Sequence, residues 1–168
     1  MIAYNISPDT LVAERVFNLS GKVISKWGKS PEEMRALRKA GYVIDDISYD
    51  NKDDKGVVIS RTTCSYVQPD AAKTHSVGIL PLVLDILLKK RKETRKLAET
   101  VPDEGQKAVL NGLQLAYKVV ANSVYGQTGS RTSPIRRLCV AASTTAAGRK
   151  QLLFAKEVAE GEFGAEVV

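Results

Sequence analysis

A long helical pattern constrains the fold of this chain more than any other feature. It begins near Pro102 and ends at Gly126, and at about 100° per residue it places Lys118, Asn122 and Tyr125 in one narrow sector. Two further polar side chains continue that sector toward the N-terminus: Gln114 and Asn111. The opposite sector is apolar at spacings of four, three and four residues: Leu113, Tyr117, Val120 and Val124. The pattern predicts an amphipathic helix with an exposed polar row, ended by a left-handed Gly126.

A second helical pattern precedes this one. It starts at Gly78-Ile-Leu-Pro81, where proline suits the first position of a helix. Its first half is apolar nearly all round, and residues 89–96 are strongly basic. Cations in the last turns of a helix complement its dipole at about 0.3 to 1 kcal/mol each, which accounts for one or two of these charges. The others indicate an anion, and Arg91 and Arg95, four residues apart on one face, are spaced to bind a polyphosphate.

The two helical patterns are joined by a short turn, Thr100-Val-Pro-Asp-Glu-Gly105. Two long helices with so short a link pack antiparallel. The basic face of the first helix then lies near the polar face of the second, so we expect Arg91, Arg95 and Lys118 to converge on one anion. A triphosphate suits this arrangement because each charge-assisted hydrogen bond to it contributes about 1.5 to 3 kcal/mol.

The composition agrees with an anionic partner. The chain has 168 residues and a net charge of +6, and no long apolar run accompanies that charge, which favours nucleic acid or nucleotide over membrane. Cys64 and Cys139 form no Cys-x-x-Cys pair, so neither a zinc site nor a disulfide framework is indicated. We interpret them as small buried hydrophobes in a reducing, intracellular compartment, with nucleus, viral factory and cytoplasm left open. His75, without a nearby acid or nucleophile, is interpreted as a surface or connector residue.

The remaining segments predict short strands and two further helices. Residues 11–29 alternate weakly, as short extended pieces do. Ser30-Pro-Glu-Glu33 is a capping box that begins a helix to Ala40. Two β-rich runs, 42–47 and 57–67, flank an acidic loop that is typical of a hairpin turn and does not match the calcium-loop spacing. The last segments predict a loop at 127–137, a helix at 140–160 stopped by Gly161, and a strand at 165–168. Together these patterns indicate an α+β fold that is mainly helical.

The string Lys118-x-x-x-Asn122-Ser123-x-Tyr125-Gly126 resembles the fingers-domain motif of family B DNA polymerases, the replicative type found in eukaryotes, archaea and large DNA viruses. The segment from Gly78 resembles the first fingers helix of that family, where an arginine and a basic residue four positions on contact the incoming triphosphate. The family usually has lysine where this chain has Arg95. The segment Asn5-Ile-Ser-Pro-Asp-Thr10 is similar to the one that follows the first metal-binding aspartate. Residues 165–168 resemble the strand that leads to the second metal-binding aspartate.

This resemblance implies an antiparallel two-helix fingers hairpin joined to an incomplete palm with short strands. The implied divisions are a palm segment with a connecting β-rich insert (1–77), the fingers helical hairpin (78–127) and a palm segment of a helix plus a final strand (128–168). The chain would be a fragment of a longer polymerase, bounded by two aspartate motifs and containing neither. The isolated chain would then be inactive.

The resemblance also implies roles for individual residues. Arg91 and Arg95 would hold the triphosphate, and Lys118 would bind it and act as the catalytic acid that protonates the leaving pyrophosphate. Asn122 would pack beside the incoming nucleotide, and Tyr125 would floor the nascent base pair. Four residues would contact DNA: Gly126, Thr128, Gly129 and Arg131. Two Mg²⁺ ions would serve the complete enzyme, with ligands outside this chain. The partners would be primer-template DNA, deoxynucleoside triphosphates and the remainder of the polymerase chain.

Two other classes of function stay open at this point. A noncatalytic basic helical hairpin would bind nucleic acid through its phosphates, with an affinity that falls steeply as salt rises. A helical interaction module, in which the polar row is only the solvated face of an amphipathic helix, would bind neither nucleotide nor nucleic acid.

Overall fold

The computed structural model describes residues 1–70 and 76–167, so the expectation for His75 lies outside the described residues. The strands in this range are β1 (Leu11–Phe17), β2 (Val23–Gly28), β3 (Ile44–Lys52) and β4 (Val58–Val67). The helices are α1 (Pro31–Lys39), α2 (Ile79–Thr100), α3 (Glu104–Gly129) and α4 (Leu138–Phe163), with a 3₁₀ turn at Ile2–Tyr4. The predicted α+β class with mainly helical content is confirmed. None of the described helices combines the length and apolar character that a membrane span needs.

The strands form one antiparallel sheet in the order β2-β1-β4-β3. β3 and β4 make the hairpin that the sequence predicts. Asp53 shapes its turn, because the Asp53 carboxylate accepts hydrogen bonds from the backbone N–H groups of Lys55 at 2.9 Å and Val57 at 2.8 Å. Gly56 completes the turn at φ 82°, a left-handed value that favours glycine. The Asp53 carboxylate of the acidic loop therefore serves to form the turn.

Each face of the sheet is covered by one helix. On one face, α4 completes a buried cluster: Ile6, Leu11, Ile47, Cys64, Tyr66, Cys139, Val140 and Ala147. On the other face, Met34 of α1 packs against Ala13, Ile44 and Val67. The hydroxyl of Tyr66 donates to Ser143 of α4 at 3.0 Å, and burial raises the pKa of this phenol. Cys64 and Cys139 are both buried and free, which agrees with their interpretation as small buried hydrophobes.

The helices α2 and α3 form the predicted antiparallel hairpin. Residues 101–103 link them, and Asp103 caps α3 by accepting a hydrogen bond from the backbone N–H of Gln106 at 2.9 Å. Small buried side chains lie in the hairpin: Thr94, Ala98 and Ala121. Because α2 begins at Ile79, Pro81 occupies the third helical position and not the predicted first. Proline is tolerated there because the N–H groups of the first turn have no intrahelical partner.

Two predicted helix ends are wrong. The helix α3 continues through Gly126 to Gly129, and the backbone N–H of Ser130 still donates to the carbonyl of Gly126 at 3.1 Å. The helical hairpin predicted at 78–127 therefore spans 79–129, and the loop predicted at 127–137 shortens to 130–137. The helix α4 runs past Gly161 and ends at Phe163, and the residue that caps it, Gly164, takes the left-handed φ of 59°.

The final strand predicted at residues 165–168 does not form in residues 165–167. These residues fold back on α4, because the N–H of Ala165 donates to the carbonyl of Ala159 at 3.1 Å and Lys156 Nζ donates to the carbonyl of Val167 at 3.4 Å. A strand needs a neighbouring strand to satisfy its backbone groups. None of the four strands in the described sheet pairs with this segment.

Candidate functional site on the helical hairpin

A contact between Arg91 and Gln114 joins the two helices of the hairpin. The half-buried Arg91 donates from Nε to Oε1 of Gln114 at 3.2 Å. The sequence places Gln114 in the exposed polar row, and this prediction is wrong because Gln114 lies in the contact with α2. Its amide oxygen holds the guanidinium by one edge, and the remaining N–H donors of Arg91 are left for a ligand.

The packed face of α3 is rotated from the predicted one. Tyr117 and Val124 are half-buried as expected, but Leu113 and Val120 are 43% and 49% exposed. Apolar residues occur on nearly every side of α3, so periodicity alone does not select one face. Contact with α2 selects the face that includes Ala121, which is 8% exposed.

Helical geometry predicts that Arg95 and Lys118 lie on the same side of the hairpin. Arg95 follows Arg91 by one helical turn, and Lys118 follows Gln114 by one turn. In antiparallel helices, one turn toward the C-terminus moves in opposite axial directions on the two helices. It also rotates the two side chains toward the same side of the pair. Helical geometry therefore predicts a separation of about 12 Å along the hairpin axis between the Cα atoms of Arg95 and Lys118, with Arg91 between them. Helical geometry therefore predicts a row of three cations on this side of the hairpin, which an extended polyanion could span.

The cations of α2 divide into paired and unpaired ones. Lys89 pairs with Asp85 at 2.7 Å and Lys90 pairs with Glu93 at 3.1 Å. Four cations have no ion pair in the part of the chain that the structure describes: Arg91, Lys92, Arg95 and Lys96. They line an open cleft of about 340 Å³ together with Leu88 and Glu99. The uncompensated positive charge of α2 is therefore concentrated on the Arg91 side.

Three residues of the predicted polar row on α3 are exposed. Lys118, Asn122 and Tyr125 all present their side chains to solvent. Among residues 1–70 and 76–167, the side chains of Lys118 and Asn122 make neither a hydrogen bond nor an ion pair. Both side chains are therefore available to a ligand.

Tyr125 is held in place by α4. Its hydroxyl lies 2.7 Å from Oγ1 of Thr145, which in turn lies 3.2 Å from the carbonyl oxygen of Ala141. Because a carbonyl oxygen only accepts, Thr145 donates to Ala141 and the Tyr125 hydroxyl donates to Thr145. The phenol is thus fixed in direction although Tyr125 is 40% exposed. The sequence gives no signal for Thr145, because the contact joins residues on two different helices.

Replacing Thr145 by valine should remove the acceptor for the Tyr125 hydroxyl with little change of side-chain size. A neutral hydrogen bond contributes about 1 kcal/mol, so we expect the free energy of unfolding to fall by about that amount, and Thr145→Ser to retain it. A double-mutant cycle with Tyr125→Phe, measured by urea unfolding, should give a coupling of about 0.5 to 1.5 kcal/mol. Strictly additive losses would show that the two hydroxyls are independent.

Thr128 and Gly129 build the end of α3. Thr128 is fully buried, its hydroxyl donates to the carbonyl of Tyr125 at 2.7 Å, and its own carbonyl accepts from the N–H of Arg137 at 2.9 Å. A Cβ on Gly129 would lie 3.5 Å from the Cβ of Ala141, an ordinary contact with α4. The Thr128 side chain therefore stabilises the helix end and is not available to DNA. Two of the residues assigned to DNA are exposed: Gly126 and Arg131.

The loop at 130–137 is attached to the sheet through Arg137. The guanidinium carbon of Arg137 lies 4.5 Å from the centroid of the Trp27 ring on β2, which is a cation–π distance. This contact orients a loop that also contains Arg131 and Arg136. Sequence analysis does not identify Trp27, and its only signal is an aromatic residue between Lys26 and Lys29.

One group of three metal-ligating side chains lies close together within residues 1–70 and 76–167. Glu14, Cys64 and Cys139 have their ligand atoms within 4.8 Å of one another. The hydrogen bond to Cys64, together with burial, raises the pKa of the Cys139 thiol. Mg²⁺ takes oxygen ligands, so two thiols and one carboxylate do not fit this ion.

Comparison with known proteins gives one consistent result. The model of DNA polymerase family B matches residues 1–167. A DNA polymerase of Acanthamoeba polyphaga mimivirus is 53% identical over 96 residues, which cover 56% of this chain and 6% of that protein. A DNA polymerase of Pyramimonas orientalis virus is 35% identical over 216 residues, covering 100% of this chain and 16% of that protein. The DNA polymerase delta catalytic subunit of Oryza sativa subsp. japonica is 38% identical over 99 residues, covering 59% of this chain and 9% of that protein. The chain thus matches only a small part of the length of each relative.

Proposed function

Because the chain belongs to DNA polymerase family B, we propose that it forms the part of a template-directed DNA polymerase that binds the incoming deoxynucleoside triphosphate and the nascent base pair. The polymerase would add deoxynucleotides to the 3′ end of a primer. The observation that supports this function most strongly is the groove of the α2–α3 hairpin. Arg91 is held there by Gln114, helical geometry puts Arg95 and Lys118 on the same side, and none of the three has a carboxylate partner among the described residues.

The triphosphate would lie along this row of cations. Arg91 is already held by Gln114, so less side-chain freedom is lost when it binds a phosphate. Arg95 and Lys118 would bind phosphates on either side of Arg91. Each charge-assisted hydrogen bond contributes about 1.5 to 3 kcal/mol, so the row suits a polyphosphate better than a single phosphate.

Lys118 would also act as the general acid. In nucleotidyl transfer the primer 3′ oxygen forms a bond to the α-phosphorus, and the bond from that phosphorus to the bridging oxygen breaks. The electron pair of the broken bond stays with the leaving pyrophosphate, which would take a proton from Nζ of Lys118. A positioned general acid typically contributes about 10² to 10⁴ in rate.

Asn122 and Tyr125 would contact the nucleotide beyond its phosphates. Both lie on the same sector of α3 as Lys118, one and two turns closer to the helix end. Asn122 would pack beside the incoming nucleotide. Tyr125, held in direction by Thr145, would floor the nascent base pair.

The end of α3 and the loop after it would contact DNA. Gly126 and Gly129 would allow close approach of the sugar-phosphate backbone, and Arg131 would bind a phosphate. Thr128 would act indirectly, by holding the helix end through its buried hydroxyl. These contacts would fix the position of the DNA without reading its sequence.

Divalent metal ions generally serve this family. We propose two Mg²⁺ ions, which would neutralise developing charge on the phosphates. Their oxygen ligands would come from outside the described residues, because Glu14, Cys64 and Cys139 do not fit Mg²⁺. The residues of this chain would act on the phosphates and the base pair.

The isolated chain should bind a deoxynucleoside triphosphate and yet fail to incorporate it into DNA. We expect at least about tenfold tighter binding of triphosphate than of monophosphate by calorimetry, because the monophosphate meets fewer of the cations. Primer extension by the same preparation should give no product, since the described residues provide no set of carboxylates for the metal ions. Equal affinities for the two nucleotides would contradict the proposed site, and extension by a polymerase-free preparation would contradict the proposed division of labour.

A noncatalytic basic helical hairpin is the second candidate function. The net charge of +6 and the exposed Lys92, Lys96 and Arg136 favour it. It predicts binding to any nucleic acid, a steep fall of affinity with salt, and no preference for nucleoside triphosphates. The nucleotide comparison above therefore separates the two functions.

A further inference from the structure

Side chains from a distant segment cap the start of α2. The residue before the helix is Gly78, which has no side chain to provide a cap. Three backbone N–H groups donate instead to residues near the N-terminus of the chain: Gly78 to Asn5 Oδ1 at 2.7 Å, Ile79 to Asp9 Oδ2 at 3.1 Å and Leu80 to Ser7 Oγ at 3.3 Å. The next residue is proline, which has no N–H, and Leu82 donates to the carbonyl of Gly78 at 3.0 Å. Every N–H of the first turn is therefore satisfied.

The capping segment is itself fixed to the sheet. Asn5 is buried and takes the left-handed conformation at φ 46° and ψ 38°. Its side-chain amide donates to the carbonyl of Val67, the last residue of β4, at 2.8 Å. The buried hydroxyl of Thr10 donates to the carbonyls of Asn5 and Ser7, and the Ser7 hydroxyl donates to Asp9. The three acceptors are thus held in place by a segment that does not belong to the helical hairpin.

A remote cap does more than satisfy a helix end. A helix that is capped by its own N-cap residue keeps its first turn in any orientation. Here the acceptors are attached to the sheet, so the three hydrogen bonds form together only for one direction of α2. A tilt of the helix would break at least one of them and leave an unpaired N–H.

We propose that Asn5, Ser7 and Asp9 are positioning residues that set the direction of α2 relative to the sheet and thereby place Arg91 at the triphosphate. The placement of Arg91 at the triphosphate rests on the proposed function. Arg91 lies 11 residues beyond Leu80 (91 − 80), which is about 16 Å along the helix. A tilt of about 5° at the cap therefore displaces Arg91 by about 1.4 Å, and a misplacement near 1 Å can cost about 10² in an enzyme.

Spin-label distances test the direction of α2 without any nucleotide. Labels at Lys96→Cys, far along α2, and at Lys55→Cys, in the β3–β4 turn, are both on exposed residues, whereas Cys64 and Cys139 are buried. The labelled chain should give one narrow distance distribution. The pair of substitutions Ser7→Ala and Asp9→Ala should broaden it at least about twofold, because the first turn loses two of its three external acceptors.

Two further variants control this experiment. Asp9→Asn keeps an acceptor oxygen and should restore the narrow distribution. Asp103→Ala removes a cap of the same kind from α3, where Asp103 accepts from Gln106, and should leave the α2 direction unchanged. An unbroadened distribution in the Ser7→Ala, Asp9→Ala chain would overturn the proposal, and so would equal broadening in Asp103→Ala.

Hydrogen exchange of the unsubstituted chain keeps the proposal testable if the Ser7→Ala, Asp9→Ala chain does not fold. The amides of Ile79 and Leu80 should be protected to within about tenfold of amides in the middle of α2. Solvent-like exchange of these two amides would overturn the cap.

Triphosphate affinity tests the functional clause separately. It should fall about tenfold in Asp9→Ala and recover in Asp9→Asn. A broadened distance distribution with unchanged affinity would overturn the placement of Arg91 at the triphosphate. If the unsubstituted chain binds no triphosphate, the proposed function fails, and the distances and exchange rates still decide whether the segment positions α2.

Discussion

Replacing Lys118 by alanine should weaken triphosphate binding roughly 10- to 100-fold and leave DNA binding nearly intact. The lost interaction is a charge-assisted hydrogen bond worth about 1.5 to 3 kcal/mol, from a side chain with no ion pair among the described residues. DNA binding depends on other cations and Lys118 is proposed to act at the triphosphate, so the salt slope of DNA binding should change by less than about 1. Both affinities can be measured by fluorescence anisotropy with a labelled triphosphate and a labelled primer-template duplex.

Lys107 provides a matched control for this substitution. It lies on the same helix and pairs with Glu104 at 3.1 Å, so Lys107→Ala removes the same type of charge outside the proposed site. We expect this variant to retain its triphosphate affinity within about twofold. Equal losses of triphosphate and DNA affinity in Lys118→Ala would favour the generic basic hairpin over the polymerase site.

Replacing Gly78 by alanine should lower the free energy of unfolding by about 2 to 4 kcal/mol. A Cβ at this position would lie 2.8 Å from Cβ of Ser7 and 2.8 Å from Cγ2 of Thr10. Ser7 and Thr10 are buried, so neither can move aside without disturbing the segment that caps α2. The substitution therefore adds steric strain and weakens the capping hydrogen bonds. Urea unfolding followed by circular dichroism measures the loss.

Gly112→Ala is the matched control for Gly78→Ala. Gly112 lies inside α3 and has open space where its Cβ would be placed. Alanine is favoured over glycine in a helix interior, so this variant should gain about 0.5 to 1 kcal/mol. A similar stabilisation in Gly78→Ala would show that the segment from Asn5 to Thr10 does not pack closely on the helix start.

The sequence predicts those features that depend on neighbouring residues. The capping box of α1 is an example, because Ser30 and Glu33 are three positions apart and their two reciprocal hydrogen bonds form at 3.2 Å and 2.7 Å. The β3–β4 hairpin is another, because Asp53 and Gly56 shape its turn locally. The exposure of Lys118 and Asn122 follows from helical periodicity in the same way.

Features that join distant residues could not be predicted in this way. Asn5 and Gly78 are separated by 73 positions, and nothing in either segment identifies the other as its partner. The contact between Tyr125 and Thr145 depends on how α4 packs against α3. Periodicity predicts the wrong face for Gln114 because α3 is apolar on nearly every side, so that packing against α2 decides which face is covered.

The final strand fails for a related reason. Residues 165–168 have a strand-like composition, but a strand also requires a paired neighbour. In the described part of the chain, residues 165–167 bond back to α4 instead. Composition predicts what a segment can form, and the availability of a partner decides whether it does.

The most direct test of the triphosphate site is photo-crosslinking with a deoxynucleoside triphosphate that has an aryl azide on its γ-phosphate, followed by peptide mapping. The account predicts labelling within residues 88–96 of α2 and 118–125 of α3. Unlabelled triphosphate should compete, and duplex DNA at the same concentration should not. Labelling confined to the sheet, or equal competition by triphosphate and DNA, would contradict it.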